Sequence, residues 1–115
     1  MLRLLRKFLS LALGASEAVI TGIRRPLGYA QIVNATLQSA TGLVLPTPPA
    51  GSTIGLAIIQ CNGGVVRWRD DGTDPTTSVG MSIPDGGELD YVGDFSAIRF
   101  IDAGTTPILD VAYYA

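Results

Sequence analysis

The sequence has no histidine, a single cysteine, and charge on only 16% of its 115 residues. Each shortage removes a class of chemistry. One cysteine, Cys61, cannot form an intrachain disulfide. A catalytic cysteine works beside a base, normally histidine, and none exists here. One thiol without imidazoles cannot complete a four-ligand zinc site. Cys61 follows Ile58, Ile59 and Gln60, which marks it as a buried strand thiol. Globular chains average about 25% charged residues. So little charge beside 47% hydrophobic residues fits a compact β-domain or a chain whose surface largely faces other subunits. The N-terminal segment favours the second.

The net charge of −2 is unevenly spread. Residues 1–25 hold Arg3, Arg6, Lys7, Arg24 and Arg25 against Glu17, a net +4. Residues 26–115 hold Arg67, Arg69 and Arg99 against nine acids, a net −6. The chain thus has a basic arm and an acidic body. The arm begins MLRLLRKFLSLALGASEA. Its basic start, apolar run and small residues near Ala15 and Ala18 are close to a secretory signal peptide, so a secreted bacterial protein is one alternative. The run from Phe8 to Ala15 is too short for a bilayer, which takes about 20 residues. Leu2, Leu5, Leu9 and Ala12 fall on one face of a helix. The expectation is a retained arm over residues 1–28, partly helical, that docks on a partner through Leu2, Arg3, Leu5, Arg6, Lys7, Leu9, Arg24 and Arg25. Packing on its own domain or lying at a membrane surface are alternatives. The expected partner is protein. The acidic body opposes wrapping by a nucleic acid duplex.

Pro26 and Gly28 mark a boundary, and residues 29–115 form the expected body. Gln31 to Leu37 alternates and predicts a strand. Pro46 to Ser52 holds three prolines and reads as a turn or extended linker. Further strands are predicted over Thr53 to Cys61, Val65 to Arg69, Glu88 to Val92, Ala97 to Ile101 and Ile108 to Tyr114. The separators are Asn62-Gly63-Gly64, Asp71-Gly72, Asp85-Gly86-Gly87, Gly93-Asp94 and Ala103-Gly104. Such residues tolerate the positive φ of tight turns. Six or seven short strands at this spacing predict an all-β fold: one small antiparallel β-sandwich, jelly-roll-like or barrel domain.

The segment Arg67 to Met81, RWRDDGTDPTTSVGM, is the densest in polar chemistry. Asp70, Asp71 and Asp74 lack the alternating spacing and distal Glu of a calcium loop, so no metal is expected. They suit a turn in which Arg67 and Arg69 pair with the carboxylates and Asp74 bonds backbone donors ahead of Pro75. Asp90 and Asp110 sit at solvent-facing strand positions. No acid occupies an apparent apolar pocket, as a glycosidase acid would, and the phosphate-loop pattern GXXXXGK is absent. No catalytic residue, cofactor or small-molecule substrate is expected. Trp68 is the one tryptophan, and an exposed Trp68 would suit stacking on a sugar ring. Tyr113 and Tyr114 point to opposite faces of the last strand, leaving one as a candidate interface anchor.

Residues 29–115 resemble small structural proteins of tailed bacteriophages and prophages. The resemblance lies in VNATLQSATG, the strand ending IQCNGG, GGELDYVGDFSAIRFI and LDVAYYA. It is most specific in Arg67-Trp68-Arg69-Asp70-Asp71-Gly72-Thr73 and Phe95-Ser96-Ala97-Ile98-Arg99-Phe100-Ile101. It implies a virion component and brings no catalytic residue with it. The leading expectation is a capsid decoration or cement protein on the capsid surface, a dimer or trimer contacting the major capsid protein. A head–tail connector, tail or fibre-base component, and a surface carbohydrate-binding module, are the alternatives.

Overall fold

The computed structural model describes residues 24–115. The arm positions Leu2, Arg3, Leu5, Arg6, Lys7 and Leu9 lie outside the described residues. The body forms one antiparallel six-stranded sheet: β1 (Pro26–Ile32), β2 (Thr41–Gly42), β3 (Leu56–Arg69), β4 (Met81–Ile83), β5 (Glu88–Tyr91) and β6 (Arg99–Tyr114). A helical turn, α1 (Asn34–Leu37), follows β1. The all-β antiparallel body expected from the sequence is what forms.

Two strands dominate. β3 and β6 pair along nearly their whole length, from Leu56 opposite Tyr114 to Arg69 opposite Arg99. At one end β1 adds to β6 and β5 adds to β3. At the other, β2 adds to β6 and β4 adds to β3. Between the ends the ladder slips at Asn62/Gly64 and Val65/Val66. An extra residue in one strand bends it and moves later side chains to the other face. The burial pattern shows this. Ala57, Ile59 and Cys61 are buried at odd positions of β3, and Val66 at an even one. Leu109, Val111 and Tyr113 are buried at odd positions of β6, and Phe100 at an even one. Both parities feed a single core with Ile32, Leu37, Ile83 and Ile98.

The bend follows from distances. Tyr91 pairs with Ala57 near the start of β3, while Trp68 lies near its end. Eleven residues of straight strand span roughly 36 Å. Yet the Trp68 and Tyr91 ring centroids are 6.1 Å apart, edge to face. The sheet therefore folds over on itself. The Tyr91 hydroxyl completes the closure, donating to Asp70 Oδ2 at 2.6 Å with the Asp94 carbonyl 3.1 Å away. Burial, reinforced by the Asp70 carboxylate, pushes the Tyr91 phenol well above its usual range.

Several local expectations are corrected. The strand predicted over Gln31 to Leu37 ends at Ile32, and Asn34 to Leu37 turn helically. Alternation there was coincidental with a turn that buries Leu37. That strand also starts earlier, at Pro26, and the Arg25 carbonyl already accepts the Ala115 N–H at 2.8 Å. The apolar run from Thr53 joins β3 only at Leu56. Asn62-Gly63-Gly64 and Ala103-Gly104 are not turns between strands: both lie inside continuous strands at the bend. The reason is steric. A Cβ at Gly64 would collide with the Gly104 carbonyl, Thr105 Oγ1 and Pro107 Cδ. Only glycine lets the two backbones approach there.

Candidate functional site

Two surfaces of the folded sheet concentrate side chains of interest. The first is the outer face of the β1–β6–β3–β5 end. Register lays its residues out in rows. One row runs Gln31, Asp110, Gln60, Glu88, and the next runs Tyr29, Ala112, Ile58, Asp90. Tyr114 lies beyond them, opposite Leu56. Tyr114 and all the row residues except Gln31 and Asp90 line a shallow depression of about 330 Å³.

The rows are knitted by side chains. Asp110 Oδ1 accepts from the Tyr29 hydroxyl at 2.6 Å and from Gln31 Nε2 at 2.9 Å. Asn62 Nδ2 reaches its other oxygen at 3.5 Å. Gln60 Nε2 donates to Glu88 Oε1 at 3.2 Å. The Tyr29 and Gln31 hydrogen bonds hold the Asp110 carboxyl below the usual range. Asp90 behaves oppositely: a hydrogen bond shared with Glu88 and the repulsion between them raise its pKa. Tyr29 itself is 66% exposed. Tyr113 is buried and Tyr114 half-buried on this outer face, as the alternation of the last strand requires.

The second surface is a groove of about 530 Å³ floored by Trp68 and walled by Arg69, Asp70, Asp71, Val79 and Met81. Trp68 is half-buried. Val79 and Met81 are exposed. Arg69 grips Asp71 in a fork, Nε to Oδ1 at 3.0 Å and Nη2 to Oδ2 at 2.6 Å. The guanidinium hydrogen bond holds the Asp71 carboxyl below its ordinary value and raises that of Arg69. Arg67 does not join these carboxylates, contrary to the sequence reading. Its Nη1 donates to the Gly80 carbonyl at 2.9 Å, because the loop doubles back across it. Nor does Asp74 bond the backbone beside Pro75: it accepts from Arg99 Nε at 3.1 Å. Register explains this pairing, since Arg99 sits opposite Arg69 at the foot of the loop.

Of the arm positions, Arg24 and Arg25 are described, and both are exposed. Arg24 Nη1 lies 3.5 Å from the Ala115 carbonyl. The structure thus places them at the rim of the first surface, beyond Tyr114. From the sequence, Tyr29, Gln31 and Gln60 do not stand out as site residues, nor does the sharing of one face by Glu88, Asp90 and Asp110. Their i, i+2 spacing was visible. The cross-strand register that aligns them was not.

Among the described residues no group of three or more His, Cys, Asp or Glu is placed to hold a metal ion. No helix among them is long and apolar enough to cross a membrane. No protein-family model, curated protein or solved structure matches this chain.

Proposed function

We propose that the chain is a structural subunit of a tailed-bacteriophage particle, a capsid decoration or cement protein that bridges major capsid subunits. The resemblance over residues 29–115 supplies the particle. The observation that carries the docking role is the pair of surfaces set on one bent sheet: a shallow depression with exposed Tyr29 at its edge, and a groove edged by Val79 and Met81. Aromatic and methionine side chains on a rigid support suit shape-matched contact. Many weak contacts repeated over a shell add up through avidity. Copy number tests the reading. Quantitative mass spectrometry of purified virions should find on the order of hundreds of copies per particle, the scale on which a shell multiplies contacts. A dozen or fewer removes the decoration role and favours the head–tail or tail position.

A second reading has its own observation. Trp68 remains partly open to solvent, flanked by Arg69, Asp70 and Asp71. A ring face beside fixed polar groups suits a pyranose. Binding on a glycan array that is lost in Trp68→Ala would establish a carbohydrate-binding module.

A further inference from the structure

The charges of the described body are unequally committed. Arg69 is paired with Asp71 and Arg99 with Asp74. Arg67 is spent on the Gly80 carbonyl. Among the described residues that leaves seven of the nine body acids without a cation partner. Three of them, Glu88, Asp90 and Asp110, share the outer face of the β1–β6–β3–β5 end, and no arginine or lysine lines its depression. The mutual repulsion of Glu88 and Asp90 marks the same excess. Between the acids lie Ile58 and Ala112, with Tyr29 and Tyr114 alongside.

The chain itself carries the complement. Its other cations all precede Pro26, and Arg3, Arg6 and Lys7 fall within five residues among Leu2, Leu4, Leu5, Phe8 and Leu9. Twenty-three residues therefore precede the described body, carrying the cations this face lacks and apolar side chains to match Ile58, Ala112 and Tyr114. They join it at its rim, where Arg24 and Arg25 meet Ala115. The chain enters β1 in line with the strand at that rim. β1 runs from that rim across the face, so residues before Arg24 would have to turn back to cover the face of their own molecule.

We propose that the outer face bearing Glu88, Asp90 and Asp110, with Tyr29 and Tyr114, receives residues 1–23 of a second copy of this chain. Arm exchange of this kind links subunits through self-complementary surfaces. The inference takes from the proposed function only that copies meet, so its failure leaves the copy-number test standing.

Lys7 is the sole lysine of the sequence, which makes a zero-length carbodiimide cross-link diagnostic. Full-length chains of light and heavy nitrogen are mixed, cross-linked and read by mass spectrometry. Lys7 should join Glu88, Asp90 or Asp110 in mixed-isotope pairs. Lys7 links confined to other carboxylates, or to a carboxylate of the same chain, overturn the proposal. A second readout covers an unproductive cross-link. By sedimentation, self-association of the full chain should weaken with salt. It should weaken about tenfold or more in R3E/R6E/K7E and equally in E88K/D90K, and return when those two variants are mixed. A full chain that stays monomeric at low salt, or a mixture that fails to associate, refutes it.

Discussion

The two ends of the folded sheet are built from the same pair of strands yet differ in kind. Where β1 and β5 flank β6 and β3, four strands pair in register over several residues, and the outer face is a lattice of side chains hydrogen-bonded across strands. Where β2 and β4 flank them, the added strands are two and three residues long. There the surface is made by the loop from Asp70 to Gly80, held by Arg69–Asp71 and Arg99–Asp74. One end is a platform fixed by register, and the other a groove fixed by ion pairs. Both depend on the bend between them.

The sharpest way to break the comparison is at that bend. Gly64→Val should cost at least about 3 kcal/mol or prevent folding, since its side chain meets the backbone of β6. Denaturant unfolding of G64V and wild type would show it, and a near-neutral result would deny that the close approach is real. Next come the two ends of the core. Leu109→Ala should cost about 2–5 kcal/mol and Phe100→Ala about 3–5 kcal/mol. Because both side chains belong to one core, each variant should still unfold in a single transition seen alike by fluorescence and circular dichroism. Separate transitions would make the ends independent units.

A smaller effect tests the tie between them. Tyr91→Phe removes the hydroxyl that reaches Asp70 and Asp94, at about 1–2 kcal/mol. Two buried phenols also set an alkaline limit. Burial pushes Tyr113 up to about 12 and raises Tyr91 as well. An unfolded phenol titrates near ~10. The folded state therefore keeps its full advantage below that value, and stability falls as pH rises above it towards the folded pKa. In Tyr113→Phe, stability measured from pH 9 to 12 should decline less steeply than in wild type. The least effect belongs to Arg69→Gln. Its pair with Asp71 is solvent-exposed, so thermal stability should barely move while the groove loosens, readable as faster amide exchange over Asp71 to Gly80.

Much of the fold was legible before the structure. The patterns of Ile108 to Tyr114 and of Val65 to Arg69 marked strands: Val66 is buried on the side expected to be apolar, and Tyr113 and Tyr114 take opposite faces, with structure deciding that Tyr113 is the inner one. Cys61 is buried as its neighbours implied, its Sγ 3.3 Å from the Gly64 carbonyl. Asp71-Gly72 and Asp85-Gly86 are turns, with Gly72 and Gly86 at positive φ. In the polar loop after Trp68 the local Arg69–Asp71 pair was legible, whereas Arg99–Asp74 was not, because Arg99 comes from a strand distant in sequence. The outer face was hidden for the same reason: Tyr29, Gln60, Glu88 and Asp110 belong to four strands, and no local pattern states which residues stand opposite.

Sequence alone determined the class of the molecule. Period-two alternation between turn-forming residues can satisfy its backbone only in sheets. Tertiary structure decided what the glycines do. Asn62-Gly63-Gly64 and Ala103-Gly104 read as hairpin turns from the sequence. The choice fell to bulges because β3 and β6 pair straight through them, and the shift of parity lets both halves of each strand bury their apolar residues in one core. That single choice folds the sheet, brings Tyr91 to Trp68 and Asp70, and shapes both the depression and the groove.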